Sequence, residues 1–279
     1  MKFLGIDLGW TSGASGLCCL EWSDGCLHLL DLDRQQTTTN ILNWINQWAP
    51  PTEPAIIAVD APTLIPNATG MRLPDKLTHQ HFRHYHAGCY PANLGRPFAQ
   101  RTVEFGLSLE ARGFAHAPII TPQTLGRYQI EVYPHPAIVH LFGLTRILKY
   151  KKGKLCDRRL ELLKLHHYIL NILPTLTPSL TLSSSLCPPC LCGSFPLEIP
   201  TTGNALKAIE DQLDSLICAY IAAHWWYWGT ERNWVLGDKT TGYIVVPAPT
   251  LGCGQNQLAV ERTLGDKGDS SGVFLPTND

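Results

Sequence analysis

The acidic residues that end or follow apolar segments are the side chains of this 279-residue chain best placed to do chemistry. Asp7 closes the apolar run KFLGID, Asp60 closes AIIAVD, and Glu131 lies within YQIEVYP. Asp211 and Asp214 are three residues apart on a segment with helical periodicity, so they share one helix face. In open α/β sheets, ligands bind at the carboxyl ends of the strands. If the strands that end in Asp7 and Asp60 lie side by side in parallel, these two carboxylates meet at one sheet edge, and the other acids are candidates to join them there.

Converging carboxylates need protons or a cation between them, because two like charges about 4 Å apart repel by roughly 4 kcal/mol near a protein surface. Oxygen ligands suit Mg²⁺ or Mn²⁺. Two such ions about 3.5–4 Å apart are a known device for phosphodiester hydrolysis, in which one activates water and the other stabilises the leaving oxygen. The set of acids predicts this chemistry, although each acid alone could equally be a turn, cap or surface residue.

The first 60 residues must supply the sheet that positions these acids. Their patterns predict strands over 2–8, 14–22, 26–33 and 55–60, and a helix over 38–48. The continuous apolar run AIIAVD is typical of a parallel strand that is buried on both faces. A three-stranded antiparallel meander followed by a crossover helix and a parallel strand is how RNase H-like folds begin. We expect an α/β domain of this kind, with helices on both faces of the sheet.

The rest of the chain continues this single domain, which we place at 1–248. An insertion rich in His, Pro, Gly and Arg spans 62–127, and only 101–113 within it has a helical pattern. Later segments predict strands over 128–134 and 242–247 and helices over 136–142, 156–173 and 204–228. A loop rich in Pro, Ser and Cys is expected over 174–203, and a disordered tail over 249–279.

Composition indicates a globular chain, since 44% of residues are hydrophobic and 16% are charged. The net charge of −1 provides no overall basic field for nucleic acid, although a local patch would suffice. No apolar run reaches the length of about 18 residues that a membrane span needs. Neither a signal peptide nor a membrane anchor is expected, so the prediction is a cytoplasmic protein with ten mostly reduced cysteines.

Basic residues supply candidate substrate contacts. The segment 146–159 holds seven of the 22 Lys and Arg residues, and Lys149 or Lys154 could reach a phosphate at the acidic site. Arg72 and Arg96 are candidate anion contacts in the insertion. Tyr85 or Tyr90 could stack on a base, with core packing as the alternative.

Two further clusters could bind metal, but neither has a complete zinc pattern. The insertion carries four histidines and one cysteine between residues 79 and 89, without a standard zinc spacing. The loop segment CPPCLC places three cysteines close together without a second pair. The residues of these two clusters are His79, His81, His84, His86, Cys89, Cys187, Cys190 and Cys192.

Several motifs, in the same order, resemble a widespread prokaryotic family of unknown function that is usually described as predicted RNase H-like nucleases. They are GIDLGW, AVDAP, IEVYPHPA and EDQLDSLICAYIAAHW, with KYKKGK and GYIVVP as further matches. The resemblance covers residues 2–248, nearly all of the chain except the tail. It implies an RNase H-like fold and a nuclease that acts on nucleic acid or a nucleotide-like phosphodiester.

The acid pattern is also distantly similar to RuvC-type resolvases, in which a first-strand Asp, a fourth-strand acid and a helical D-x-x-D pair bind divalent metal. By that similarity Asp7, Asp60, Asp211 and Asp214 would bind Mg²⁺ or Mn²⁺. Resolvases have Glu at the position of Asp60, and Ser215 replaces their Ala. Glu131 is carried over from the predicted-nuclease family alone, as a catalytic residue that would be a ligand or a base.

Two other functions remain open from the sequence. The opening motif also fits actin-like ATPases and sugar kinases, but that class needs two such folds and a second glycine-rich phosphate loop. The low charged fraction favours a non-catalytic binding protein that keeps the fold.

Overall fold

The computed structural model describes residues 1–11, 13–171, 173, 176 and 199–249, and in addition the backbone of two short strands at 191–192 and 273–274. The cysteine-rich loop expected at 174–203 and the tail expected at 249–279 fall mostly outside these residues, and so do the side chains of the CPPCLC segment.

The predicted order of the first elements is confirmed as strand, strand, strand, helix, strand. The strands are β1 (Lys2–Asp7), β2 (Ser15–Ser23), β3 (Cys26–Gln35) and β4 (Ala55–Val59), and the helix is α1 (Thr38–Trp48). β1, β2 and β3 form an antiparallel meander, and β1 pairs in parallel with β4. The crossover helix α1 makes this parallel pairing possible.

The later elements continue the α/β pattern. They are α2 (Leu73–Phe82), α3 (Ala99–Glu110), β5 (Ala115–His116), β6 (Arg127–Glu131), α4 (Pro134–Leu141), α5 (Leu155–Asn171), β7 (Leu191–Cys192), α6 (Gly203–Trp228), β8 (Asn233–Asp238), β9 (Gly242–Pro247) and β10 (Val273–Phe274). The main sheet is mixed, with strand order β5-β6-β4-β1-β2-β3-β7. The fold class is therefore mixed α/β, with helices on both faces of this sheet.

Strand alternation divides the hydrophobic core into two layers. Phe3, Ile56 and Ile130 face the layer that contains α6. Leu4 and Ile57 face the opposite layer, which contains the apolar sides of α1 and α3. Because successive side chains in a strand point to opposite faces, each strand residue near the sheet edge can be assigned to one layer.

The insertion contains more helix than its sequence pattern predicts. Besides α3, it forms α2, whose helical turns are rich in His and Gln and carry few apolar residues. The helix begins after Arg72, and the Asp75 side chain accepts a hydrogen bond from the Arg72 backbone N–H at 3.1 Å. Capping by Asp75 and packing of Phe82 in a separate core stabilise this helix, and neither contact can be inferred from periodicity.

A second, smaller sheet contains the predicted strand over 242–247 and the unpredicted strand β8. Its order is β10-β8-β9. Trp234, Leu236 and Ile244 of this sheet pack with Phe82 of α2. An isolated β-bridge between Val132, just after β6, and Val245 of β9 joins the small sheet to the main sheet.

Candidate functional site

Asp7 and Asp60 lie side by side at the carboxyl edge of the main sheet, as the sequence predicts. Asp7 ends β1 and Asp60 follows β4, and the Asp60 N–H donates to the Ile6 carbonyl at 2.8 Å. Alternation places both side chains on the face that packs against α6, in line with Phe3 and Ala58. Both residues are partly buried. Among the residues that the structure describes, nothing donates a hydrogen bond to either carboxylate.

The protonated forms of these two acids are favoured by their surroundings. Burial raises the pKa of Asp7 well above its usual range, and the charge of Lys151 opposes this rise while Asp214 and Asp60 add to it. Burial also raises the pKa of Asp60 to about 7, again opposed by Lys151 and reinforced by Asp214. Because the two carboxylates share one desolvated edge, ionisation of one disfavours ionisation of the other.

α6 brings two further acids to the same edge because it packs unusually close to the sheet. A Cβ added to Gly5 would lie 1.9 Å from the Ser215 carbonyl oxygen, and one added to Gly16 would lie 1.9 Å from the Asp211 carbonyl oxygen. Only glycine allows the helix backbone to approach β1 and β2 so closely. Asp214, one turn beyond Asp211, is fully buried beneath this contact.

Asp214 is held by two neighbours from the loop between α4 and α5. The Tyr150 hydroxyl donates to Oδ1 at 2.7 Å, and Lys151 Nζ lies 2.6 Å from Oδ2. Burial acts to lower the pKa of Lys151, but Asp214 and Asp7 outweigh burial and raise that pKa well above its usual value. Lys151 is therefore a permanent positive charge within the acidic site.

Asp211 and its neighbour Glu210 are also paired with cations. Arg34 Nε lies 2.9 Å from Asp211 Oδ2, and Lys207 Nζ lies 2.7 Å from Asp211 Oδ1. Lys207 and Arg158 bind the two oxygens of Glu210 at 2.6 and 3.2 Å. These ion pairs leave Asp7 and Asp60 as the carboxylates of the site without a direct basic partner among the described residues.

Glu131 does not join the other acids, although its strand ends at the same edge. It is in register with Val59, whose side chain belongs to the layer opposite α6. Arg72 binds it through two bonds, Nη1 to Oε2 at 2.8 Å and Nη2 to Oε1 at 2.7 Å. The same guanidinium binds Asp75 at 2.8 Å, and all three side chains are buried.

The geometry of Arg72 indicates a structural role. Burial acts to lower its pKa, but Glu131 and Asp75 more than offset burial and raise the pKa above its ordinary value. This buried triad joins the start of α2 to the end of β6, on the opposite side of the sheet from Asp7 and Asp60.

The other basic residues named from the sequence are exposed. Arg96 donates Nε to the Pro91 carbonyl at 3.2 Å, and Lys149 and Lys154 extend from the loop before α5. Within KYKKGK it is Lys151, beside the buried Tyr150, that reaches the acids. The sequence contains an indication of this role for Lys151. Its neighbour Tyr150 is an aromatic residue within a basic run, and such a residue favours a loop that turns toward the core. No comparable sequence feature indicates that Arg34 and Lys207 pair with Asp211.

No set of three His, Cys, Asp or Glu side chains within the described part of the chain is arranged to hold a metal ion. The histidines of the insertion are included in that result. At the acidic edge, Lys151 and Lys207 lie near the carboxylates and provide positive charge there.

None of the helices that the structure describes combines the length and apolarity needed to cross a bilayer.

A family model with the description "Protein of unknown function (DUF429)" matches residues 5–240. The chain belongs to this family. No curated protein and no solved structure gives a significant match. The DUF429 match includes both strand-end aspartates, α6 and the loop that carries Lys151, so the whole acidic site lies within the family region.

Proposed function

We propose that this protein is a divalent-metal-dependent phosphodiesterase or nuclease with an RNase H-like arrangement of the main sheet. The observation that carries the proposal is the pair Asp7 and Asp60, two partly buried carboxylates on adjacent parallel strands that accept no hydrogen bond from any described residue. Desolvated acids without a partner are favourable sites for a cation. Mg²⁺ or Mn²⁺ is the cation whose chemistry suits an all-oxygen donor set.

The donor set fits a hard divalent ion at Asp7 and Asp60. Asp214 and Asp211 would add negative charge beside the ion from α6, since basic neighbours already bind their oxygens. A bound divalent ion supplies activation of water and stabilisation of the charge that develops on phosphate oxygens.

The side chains around these acids have defined tasks in this proposal. Tyr150 orients the Asp214 carboxylate through its hydroxyl. Lys151, whose side chain is 30% exposed, provides a fixed positive charge that attracts a phosphate to the acidic edge. Arg34 and Lys207 neutralise Asp211, so the repulsion within the acid cluster is reduced.

Metal-dependent cleavage is tested with labelled single- and double-stranded DNA and RNA, and with bis(4-nitrophenyl) phosphate, in Mg²⁺, Mn²⁺ or EDTA. We expect cleavage in Mn²⁺ or Mg²⁺ and none in EDTA. Asp7→Asn and Asp60→Asn should each lower the rate by at least about 100-fold, since loss of a metal ligand removes several kcal/mol of transition-state stabilisation.

The matched control is Asp24→Asn, which changes an acid in the turn between β2 and β3, at the far end of the strands from the site. This variant should keep the full rate. Equal rates for wild type and the Asp7 and Asp60 variants would show that these residues do not hold a catalytic metal.

A non-catalytic binding protein is the second candidate, and the ion pairs within the site favour it. Lys151, Lys207 and Arg34 already neutralise the α6 acids, and no three-residue metal cluster is present among the described residues. Calorimetric titration with Mn²⁺ separates the two candidates. Binding that Asp7→Asn abolishes supports the enzyme, and no heat at millimolar Mn²⁺ supports the binding protein.

A further inference from the structure

A cluster of three aromatic rings, two of them exposed and one from a small buried core, lies beside the acidic edge. We call it the aromatic patch and define it as Trp10, Tyr90 and Phe98. Trp10 is three residues after Asp7, and Tyr90 and Phe98 come from the insertion. The distance between ring centroids is 6.1 Å for Trp10 and Tyr90, and 4.6 Å for Trp10 and Phe98.

The patch presents flat apolar surface to solvent. Trp10 is 44% exposed and Tyr90 is 69% exposed, whereas Phe98 is buried and forms the floor. Three residues of chain span at most about 11 Å, so Trp10 cannot lie farther than that from the Asp7 backbone. The patch is therefore within reach of any extended ligand that occupies the acidic edge.

The loop that carries Trp10 has a constrained backbone. A Cβ added to Gly9 would lie 2.1 Å from the Gly13 carbonyl oxygen, so the loop closes on itself at a glycine. The Gly9 N–H donates to the Ser15 hydroxyl at 3.0 Å, which ties the loop to the start of β2. These contacts hold Trp10 close to the carboxyl end of β1.

An arginine with two unsatisfied nitrogens among the described residues follows Phe98 by one helical turn. Arg101 is on α3, one turn after Phe98, and residues three apart are neighbours on a helix surface. The Nε and Nη2 atoms of Arg101 are buried, and no acceptor for them exists among the described residues. A buried guanidinium nitrogen without an acceptor is costly, and an anion that reached this group would offset that cost.

We propose that the aromatic patch and Arg101 form a subsite for one nucleotide of single-stranded nucleic acid. The base stacks on Trp10 and Tyr90, and a phosphate accepts hydrogen bonds from Arg101. Stacking on aromatic side chains suits any base, because every base has a π face, and arginine binds phosphate oxygens in pairs. This inference rests on the proposed function, since it supplies the substrate for the acidic edge.

The combination of groups favours a nucleotide over an apolar protein segment. An apolar segment would cover the rings but would offer Arg101 only neutral backbone carbonyls, whereas a phosphate offers paired anionic oxygens. The exposed Arg96, in the same insertion as Tyr90, adds a second positive charge for a polyanion. A nucleotide would cover the aromatic patch with its base and would pair its phosphate with the basic residues.

The test is binding of a fluorescein-labelled oligothymidylate or oligouridylate in EDTA, measured by anisotropy, so that cleavage cannot interfere. We expect Trp10→Ala to weaken binding by about 10-fold or more, and Tyr90→Ala by a smaller factor. Arg101→Gln should weaken binding and should also lower the slope of log Kd against log salt by about 0.7, the value for one phosphate contact on a single strand.

Two variants control for fold and charge. Leu107→Ala shortens an exposed apolar side chain of α3, and Lys239→Gln removes one positive charge from the turn between β8 and β9. Both should bind as wild type does. Thermal unfolding of each variant verifies that the fold is retained.

The outcomes separate this inference from the proposed function. If wild type binds no oligonucleotide, or if the Trp10 and Arg101 variants bind as wild type does, the subsite is wrong even when bis(4-nitrophenyl) phosphate is hydrolysed. If binding depends on Trp10 and Arg101 but no divalent ion supports cleavage, the subsite stands and the hydrolytic function fails.

Discussion

At the scale of single residues, the acidic site is defined by which carboxylates have partners. Asp214 and Asp211 are buried and each is paired with two donors or cations. Asp7 and Asp60 have raised pKa values because burial and neighbouring acids are only partly offset by Lys151. Asp7 and Asp60 have no direct donor among the described residues, so a bound cation would change their protonation the most.

The pair of Lys151 and Asp214 gives the first stability prediction. Lys151→Met leaves a fully buried carboxylate without its cation, and breaking a buried pair costs about 3–5 kcal/mol. Because the Lys151 side chain is 30% exposed and therefore partly screened, we expect a loss of about 2 kcal/mol in the free energy of unfolding. Urea denaturation measures this change.

The double variant Lys151→Met with Asp214→Asn should recover part of that loss, because it removes both members of the pair. Lys152→Met, at the exposed neighbouring position, is the control and should change stability by less than about 0.5 kcal/mol. Additive effects of the two single variants would contradict direct coupling between Lys151 and Asp214.

At the scale of elements, the close contact between α6 and the sheet positions the site. α6 is buried along most of its length, and Gly5 and Gly16 allow its backbone to reach β1 and β2. The α6 acids are thereby placed near Asp7, whose pKa responds to both of them. Whether the α6 acids meet Asp7 and Asp60 therefore depends on how closely α6 packs on the sheet.

Substitution of these glycines should therefore separate the helix from the strands. Gly5→Ala or Gly16→Ala puts a methyl group 1.9 Å from a helix carbonyl, so α6 must shift. We expect a loss of about 3 kcal/mol or more of unfolding free energy, at the upper end of overpacking effects. Thermal unfolding and Mn²⁺ calorimetry report the loss of stability and of the site.

Gly203→Ala, at the start of α6, is the matched control because a Cβ there meets nothing within 4 Å. It should be neutral or slightly stabilising, since Ala has higher helix propensity than Gly. Wild-type stability and Mn²⁺ binding in the Gly5 and Gly16 variants would show that the packing of α6 is not as close as described.

At the scale of the whole molecule, the main sheet separates two buried polar systems. The aspartates face α6, whereas Glu131, Arg72 and Asp75 form a triad that joins the insertion to β6. The small sheet packs on α2 and reaches the main sheet through the bridge between Val132 and Val245. The insertion is thus an integral part of the fold.

Buried histidines make this fold sensitive to acid. His224 Nδ1–H donates to Asn233 Oδ1 at 2.8 Å, where α6 meets β8, and burial lowers the pKa of His224 to about 4. The contribution of His224 is present above its unfolded pKa of about 6.5 and is lost as pH falls toward 4, at up to about 1.4 kcal/mol per pH unit.

His224→Gln isolates this effect, because Gln can retain a hydrogen bond to Asn233 but does not titrate. We expect its stability deficit relative to wild type to shrink as pH falls from 6.5 to 5, in urea denaturation at several pH values. Gln100→Asn, which changes no titratable group at an exposed position, should show a constant difference from wild type. A constant difference for His224→Gln would mean that folding does not shift the pKa of His224.

Much of this architecture follows from the sequence alone. The apolar run that ends in Asp60 predicts a parallel strand buried on both faces, and β4 does pair in parallel with β1. The spacing of Asp211 and Asp214 predicts one helix face, and α6 confirms the helix. Local pattern was sufficient in these cases because periodicity is a property of neighbouring residues.

Other features were decided by tertiary structure. The side of the sheet on which Glu131 lies depends on its register with Val59, and its pairing with Arg72 depends on where the insertion packs. The choice of Lys151 over Lys149 and Lys154 depends on how one loop turns beside Tyr150. Long-range register and packing join residues far apart in the chain, and for that reason no local pattern of the sequence could determine them.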